Sequence, residues 1–426
     1  MGNVFQLLCL SLVMGLGVLS AKCSPKLEKK ISHLAKSRKY RQLGVVVRKN
    51  LNKKCTLGEL DAIASSVGCK KLRDAIFATR RLYGTHRNVC IRRPQFLQDA
   101  LFTLTKLPSL RKSYSYLTRK QTGLRDTIEY DPHTKKAFIL LDRHKRAWVG
   151  KGYKKRVNKA ILFDIKNPKV VARAEQSAPM KEEIKVCKKM RNTPGVINMQ
   201  ASTTYSKNRQ TFRTLYLDLY EPGSLKHALA KKKKFTLTQV TQIMHRLLVG
   251  LKSFHSRKIV HRDIHIGNCF ISKSSKKGTK IDAVLADLGR AMSIKKAKGI
   301  PPQGAKIYYS PESIEMEKMR HKDYFASDIY ALGCVFYQLL FKKQAPWQGT
   351  YLRDRTLPAE KKREMLVQEL NRACEKKWSY LKGKKQLSRR QAAQYLVFKM
   401  LQVDPKERGS ASSLASIAKA IAQRSR

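Results

Sequence analysis

Hydrophobic and polar residues follow two different periods along this chain, and the period changes after about Gly123. Before that point apolar residues recur at helical spacing, as in LGELDAIASSV, where Thr56 and Glu59 form a capping-box pattern. Beyond it, alternation in AFILL, AWVGKGYKKRVNKAILF and KVVARAEQ predicts strands. From Leu237 onward long helical patterns dominate. This order predicts an α+β, two-lobed fold with a small antiparallel β-rich N-lobe, a mainly helical C-lobe and a cleft between them.

The first 21 residues carry no charged side chain, whereas the next eight carry four. This step predicts a signal peptide cleaved after Ser20 or Ala21, or a membrane anchor of one helix. The first alternative implies a secreted, exported effector and the second a membrane-anchored protein, and a segment that is neither implies a cytoplasmic one. Residues 22–123 are predicted to form a basic helical region, and no chemistry is evident in their pattern.

The charge balance is strongly positive, with 90 Lys and Arg against 30 Asp and Glu and a formal net charge of +60. Such a surface favours polyanionic partners, because Coulomb attraction and counterion release act without sequence readout. Nucleic acid, an anionic membrane and acidic proteins all qualify as partners. A general lysine bias of the sequence explains the same numbers, since the lysines are spread along the chain.

The nine cysteines show no CxxC pair and no regular spacing. Neither a zinc site nor a disulfide framework is therefore indicated, and buried reduced thiols are the preferred interpretation.

The strongest chemical signal lies in two short motifs with a fixed separation. His261-Arg262-Asp263 is followed by Asn268, five residues after the aspartate, and Asp287-Leu288-Gly289 begins 19 residues after Asn268. The first motif resembles the catalytic loop of protein kinases, and the second resembles their metal-binding DFG triplet. By these motifs the chain is similar to the protein kinase superfamily, with a kinase domain over residues 128–421.

This resemblance implies phosphoryl transfer from ATP to a protein substrate, a reaction that depends on positioning and charge neutralisation. The catalytic residues implied are Arg262, Asp263 and Asn268, with Asp263 accepting the proton of the attacking hydroxyl. Asn268 and Asp287 would hold Mg²⁺, which prefers oxygen ligands. Arg262 would also bind a phosphate on the activation segment.

Downstream motifs extend the likeness. Ser310-Pro311-Glu312 resembles the APE that closes the activation segment, and Asp328 resembles the helix-borne aspartate that steadies the catalytic loop. Ala345-Pro346-Trp347-Gln348-Gly349 and Asp404-Pro405-Lys406-Glu407-Arg408 match later kinase motifs. The likeness implies that Arg408 pairs with Glu312 in an architectural role.

Upstream, the residues that resemble the nucleotide site are more scattered. Gly150, Gly152 and Val157 are similar to a glycine-rich loop, in which backbone N–H groups approach the ATP phosphates. The hinge that binds adenine would run from Asp218 to Tyr220, between apolar residues.

The lysine expected on the third strand of a kinase is missing from KVVARAEQ. Strict alignment places Ala174 at that position and turns Arg173 to the opposite face, whereas a one-residue shift brings Arg173 into the cleft. Arg173 is the predicted phosphate-binding cation, and Glu183 is its predicted carboxylate partner, with Glu182 as the alternative.

The predicted function is that of a protein kinase with a preference for serine and threonine, and tyrosine specificity stays open as the alternative. Two departures concern substrate choice, since His265 stands where such kinases carry Lys and Ala305 where they carry Thr. Two alternatives remain open: a pseudokinase that serves as a scaffold or binding module, and a protein whose main activity is polyanion binding.

Overall fold

The computed structural model describes a defined set of residues, which falls into two compact units. These units are Met1–Ala178 with Ala201–Leu217, and Pro179–Gln200 with Asp218–Arg426. The residues described are 24–37, 42–43, 46–47, 57–67, 69, 128–131, 134, 136–140, 148–151, 155–163, 169–176, 180–207, 210–273, 281–300, 304–315 and 319–423. The predicted signal or anchor at 1–21, most of the basic region at 22–123, and Gly152 lie outside them.

Two helices of the predicted basic region are described. Helix α1 spans Pro25–Lys36, with Ser24 as its N-cap and proline in its first turn. Helix α2 spans Leu57–Ser66 within the stretch whose pattern predicted a helix, and it packs against α1. Each buries one apolar face, as helical spacing requires.

The first unit is built on an antiparallel sheet in the order β1-β2-β4-β5-β7-β6, with β3 paired to β4. One face buries Phe138, Val171 and Tyr216 with their neighbours, and the rings of Phe138 and Tyr216 stack with centroids 3.5 Å apart. The strands are β1 Ile128–Asp131, β2 Lys136–Leu140, β3 Trp148–Lys151, β4 Arg156–Phe163, β5 Lys169–Gln176, β6 Met199–Lys207 and β7 Gln210–Asp218. The predicted strand region is confirmed.

The second unit is mainly helical. Its short strands are β8 Pro222–Ser224, β9 Ile259–Val260, β10 Cys269–Lys273, β11 Ile281–Leu285 and β12 Met292–Ser293. Its helices are α3 Lys181–Lys189, α4 Leu225–Ala230, α5 Leu237–Ser256, α6 Ile294–Ala297, α7 Pro311–Ile314, α8 His321–Phe341, α9 Ala359–Lys382, α10 Arg389–Met400 and α11 Ala411–Gln423.

Helices α5 and α8 form the centre of this unit. A reciprocal capping box between Thr236 and Gln239 starts α5, which packs against α11, α8 and β11. The stretch Lys322–Phe341 of α8 is the one described helix long and apolar enough to cross a membrane, and its most apolar 18-residue window is 83% buried inside the protein. This burial is typical of a core helix.

The cysteines of the described segments agree with the reduced-thiol interpretation. Cys69, Cys187, Cys269, Cys334 and Cys374 are all buried free thiols.

Candidate active site

The loop His261–Asn268 is anchored to helix α8 by one buried carboxylate. Asp328 accepts hydrogen bonds from the backbone N–H groups of His261 at 2.8 Å and Arg262 at 2.9 Å. Burial alone would raise the pKa of Asp328, but His255 and the His261 N–H stabilise the anion and hold its pKa below the ordinary value. The predicted steadying role of Asp328 is confirmed, and it fixes a loop in which Arg262 has a left-handed φ of 66°.

Asp263 projects from this loop between two basic side chains. The Arg290 Nε lies 3.3 Å from its Oδ2, and the His265 Nε2 lies 3.6 Å from its Oδ1. Burial lowers the pKa of His265, although Asp263 opposes this effect, so the imidazole is neutral at pH 7. Sequence reasoning did not identify Arg290 as a neighbour of Asp263, because the contact depends on how the chain folds back after β11.

Asn268 and Asp287 lie at the same end of the β10–β11 hairpin. The Ala286 N–H donates to the Asn268 carbonyl at 2.8 Å, directly after the pair Cys269 and Leu285. The Asn268 amide N–H donates to the Asp263 carbonyl at 2.9 Å, which leaves its Oδ1 as the ligand atom for a cation. Asp287 is exposed and has a left-handed φ of 57°. An amide oxygen beside an exposed carboxylate fits a hard divalent cation such as Mg²⁺.

The described part of the chain contains no cluster of three or more His, Cys, Asp or Glu side chains that could hold a metal ion. The two oxygen donors from Asn268 and Asp287 would therefore need substrate phosphate oxygens and water to complete the coordination of Mg²⁺.

Helix α3 carries the two predicted glutamates in different environments. Glu183 is 5% exposed, whereas Glu182 is exposed and forms an ion pair with Lys296 at 2.8 Å. The helix packs against the turn Leu288–Arg290, which directly follows Asp287. Of the two candidates, Glu183 is the one held inside the protein.

The predicted hinge at Asp218–Tyr220 is held by two contacts that sequence reasoning missed. The Gln200 side-chain amide donates to the Asp218 Oδ1 at 2.6 Å, and the Asp218 backbone N–H donates to the Asn198 backbone carbonyl at 3.0 Å. Burial, reinforced by the carboxylates of Asp282 and Asp218, raises the pKa of Tyr220 well above its ordinary value. The Tyr220 phenol is therefore neutral. The two hydrogen bonds fix both the backbone and the side chain of Asp218.

In the first unit, the register of the β4–β5 pair decides which face Arg173 occupies. Val157 pairs with Ala174, and Asn158 pairs with Arg173. Since neighbouring residues point to opposite faces, Arg173 lies on the face opposite Val157, together with the core residue Val171. The Arg173 side chain is 2% exposed and forms an ion pair with Glu175 at 2.5 Å.

This register agrees with strict alignment at Ala174, and it lacks the one-residue shift that would turn Arg173 toward the face of Val157. Gly150 pairs with Val157 in the β3–β4 hairpin, whose Gly152 falls outside the described residues. The nucleotide-binding roles of Gly150, Gly152, Val157, Arg173 and Glu183 stay predictions.

The segment after Asp287 is fixed to the second unit at several points. Arg262 donates to the Met292 Sδ and to the Ile300 carbonyl, both at 3.1 Å. The predicted pair of Arg408 and Glu312 is confirmed as a two-pronged ion pair at 2.6 and 2.8 Å, with Arg408 fully buried. Gly304 packs so closely that a Cβ would lie 2.9 Å from the Asp263 Oδ1.

A β-rich unit followed by a helical unit with an aspartate-anchored His-Arg-Asp loop defines the class of phosphotransferase folds to which kinases belong. The chain belongs to the protein kinase domain family, whose sequence model matches residues 145–418. The predicted family and fold class are thereby confirmed.

Individual relatives share less than a third of their residues with this chain over the matched segments. The chain is 30% identical over 181 residues to "Probable serine/threonine-protein kinase zyg-1" of Caenorhabditis briggsae, covering 42% of this chain and 24% of that protein. It is 26% identical over 216 residues to serine/threonine-protein kinase Nek5 of Homo sapiens, covering 50% and 28%. It is 30% identical over 142 residues to serine/threonine-protein kinase PLK2 of Mus musculus, covering 33% and 19%. The chain thus spans between 19% and 28% of the length of these relatives.

Proposed function

We propose that this chain is an ATP-dependent protein kinase that transfers the γ-phosphoryl group to protein hydroxyls, with a preference for serine and threonine. The observation that carries the proposal is the arrangement around Asp263. Asp328 fixes the loop, and the Asn268 side-chain amide donates a hydrogen bond to the backbone carbonyl of Asp263. The named relatives, all serine/threonine-protein kinases, support the substrate preference.

Each of the predicted site residues has a defined task in this proposal. The Asp263 carboxylate accepts the proton of the attacking hydroxyl, and its loop geometry orients that hydroxyl. Asn268 and Asp287 hold Mg²⁺, which when bound neutralises phosphate charge. The backbone from Asp218 to Tyr220 binds adenine, while Gly150, Gly152 and Val157 cover the phosphates.

The position of Arg173 bears on how phosphates are held. Because Arg173 is buried in an ion pair on the face opposite Val157, the phosphates would be held mainly by the glycine-rich hairpin, with Mg²⁺ supplying positive charge when it is bound. A pseudokinase remains the second candidate, since the strand position of Ala174 offers no cation. Retention of Asp263, Asn268 and Asp287 together favours the enzyme.

The test is transfer of γ-phosphate from Mg-ATP to a generic protein substrate and to the chain itself. We expect Asp263→Asn and Asp287→Ala each to lower the rate on the order of a hundredfold or more, since each removes a group that acts on the transferred charge. The matched control is Asp354→Ala, which removes an exposed carboxylate whose partner is Thr356. No transfer by the wild-type chain would reject the enzyme and favour the pseudokinase.

A further inference from the structure

A cavity of about 610 Å³ opens in the second unit beside the catalytic loop. Its lining includes His265, Ile266 and residues at the end of α8. Ala305 and Tyr308 line both this cavity and a smaller one of about 40 Å³, which Asp263 also lines. The two cavities are therefore neighbours, and a polypeptide whose hydroxyl reaches Asp263 would lie beside the larger one. We call it the basic cavity, because lysine and arginine predominate among its charged lining residues.

The side chains around the basic cavity carry charge of one sign. Seven are lysine or arginine, and among the described residues that line it there is no Asp or Glu. They come from α4, the loop after it, the end of α8 and the turn Thr350–Arg353. The seven are Lys226, Lys232–Lys234, Lys342, Lys343 and Arg353. Gathering like charges around one concave surface concentrates its potential and favours an anionic ligand.

Two of these lysines stand where the backbone itself favours glycine. Lys232 follows the end of α4 with φ 54°, and Lys342 is the C-cap of α8 with φ 58°. A left-handed conformation costs free energy for any residue with a Cβ, and glycine usually occupies such helix ends. Both turns at the edge of the basic cavity nevertheless carry a cation.

The rest of the lining suits a peptide better than a nucleic acid. Its inner wall includes apolar groups from Leu229, Ile266 and Ile307, which can pack against aliphatic side chains. Base binding relies on exposed aromatic platforms, whereas the aromatic residues here, Phe235 and Tyr308, are buried.

We infer that the basic cavity binds an anionic stretch of the protein substrate, next to the hydroxyl that Asp263 receives. The inference rests on the proposed function and specifies its substrate class. The shared ligand chemistry is carboxylate or phosphate, so an acidic sequence and a segment phosphorylated beforehand both satisfy it. Lysine and arginine bind either group through charge-assisted hydrogen bonds.

The experiment compares four labelled peptides with one central serine each: neutral, glutamate-rich, carrying one added phosphoserine, and lysine-rich. Binding to the full-length chain is measured without ATP by fluorescence anisotropy, and kcat/KM is measured separately with Mg-ATP. The cavity variant is Lys342→Glu/Lys343→Glu. Its matched control is Lys384→Glu/Lys385→Glu, two consecutive exposed lysines that do not line the basic cavity.

We expect the anionic peptides to bind at least about tenfold tighter than the neutral one, which corresponds to a few favourable charge contacts. In the cavity variant, the ratio of the affinities for the anionic and the neutral peptides should fall at least about fivefold. In the control variant this ratio should stay within about twofold of the wild-type value. The relative strength of the glutamate-rich and phosphoserine peptides tells which anion is preferred. Lys226→Glu, on helix α4, should act in the same direction without a strained backbone at the changed residue.

Three results would overturn the inference. They are equal binding of all four peptides, equal losses in the cavity and control pairs, and an oligonucleotide of the same charge binding as tightly with equal sensitivity to the cavity substitutions. Because binding is measured without ATP, the inference and the proposed function fail separately. Anion-selective binding without any transfer rejects only the enzyme, and transfer without anion preference rejects only the inference.

Discussion

Gly304 packs directly against the Asp263 carboxylate at the candidate site. A Cβ at this position would lie 2.9 Å from the Asp263 Oδ1 and 3.0 Å from the Arg262 carbonyl. We expect Gly304→Ala to displace the carboxylate and to lower kcat at least about tenfold, since small displacements of a positioned group cost rate steeply. Steady-state kinetics would measure this effect.

The same substitution at Gly383 provides the control for Gly304→Ala. A Cβ there meets only the Ser379 carbonyl, at an ordinary 3.7 Å, so kcat should be unchanged. Equal kcat values for the two variants would contradict the positioning role of Gly304.

Arg173 illustrates how burial changes the expected effect of a substitution. Arg173→Met removes one member of an ion pair and leaves Glu175, 18% exposed, without this cation. We expect a loss of about 1–3 kcal/mol in the free energy of unfolding, below the range for a fully buried pair because Glu175 keeps some solvent contact. Chemical denaturation measures it, and a raised KM for ATP with unchanged stability would instead place Arg173 at the phosphates.

His245 on α5 predicts a dependence of stability on pH. Burial lowers its pKa, and the nearby charges of Arg246 and Lys419 act in the same direction. The folded state therefore binds a proton less readily than the unfolded state, so its contribution to stability is present above about pH 6.5 and is lost as the pH falls through the folded-state pKa.

Replacing this imidazole removes the effect. We expect the difference in unfolding free energy between pH 7.5 and 5.5 to be smaller in His245→Gln than in the wild type. Denaturation at both pH values tests this. An unchanged difference would show that His245 titrates alike in both states, and a larger one would show that folding raises its pKa.

At the scale of elements, the second unit depends on a long-range link between α7 and the turn Pro405–Arg408. Arg408 is fully buried and also donates to the carbonyls of Gln402, Val403 and Ala326, so one side chain ties α7, α8 and this turn together. Such a pair fixes the arrangement of the elements even where its net energetic gain is small.

Arg408→Met should lower the unfolding free energy by about 3–5 kcal/mol, because the Glu312 carboxylate loses its buried partner. Lys361→Met, which breaks an exposed pair with Glu364, should change it by no more than about 1 kcal/mol. Thermal unfolding of both variants provides the comparison. Equal losses of unfolding free energy in the two variants would mean that the buried ion pair of Arg408 stabilises the fold no more than an exposed pair does.

At the scale of the whole molecule, the net charge of +60 predicts strong and salt-sensitive attraction to polyanions. We expect binding to heparin or duplex DNA to weaken by about a thousandfold or more between 50 and 200 mM salt, as for proteins that neutralise many phosphates. Titration at several salt concentrations measures the slope. A flat slope would show that the charge contributes no polyanion site.

The salt dependence of polyanion binding also shows whether the positive charge acts from the whole surface or from one site. If the whole surface contributes, Lys384→Glu/Lys385→Glu should reduce the slope as much as Lys342→Glu/Lys343→Glu. The preference for anionic peptides should respond only to Lys342→Glu/Lys343→Glu, the variant of the basic cavity.

The sequence by itself determined the features that depend on nearby residues. The His-Arg-Asp loop, Asn268 and Asp287 were identified because their short, fixed separations resemble the motifs of protein kinases, whose reaction needs such side chains. The helical stretch from Leu237 to Ser256 was recognisable because its apolar residues repeat with the helix itself. Strands β2 to β5 followed from alternation in the same way, whereas β1, β6 and β7 were not predicted.

Only the tertiary structure decided the features that join distant segments. The register of β4 and β5 sets the face of Arg173, because a shift of one residue would reverse it. Gln200 holds Asp218 from 18 residues away, and Arg290 meets Asp263 only after the chain has turned back. The basic cavity exists because separate lysine-bearing segments converge beside His265. Such contacts depend on packing between elements, which no local pattern specifies.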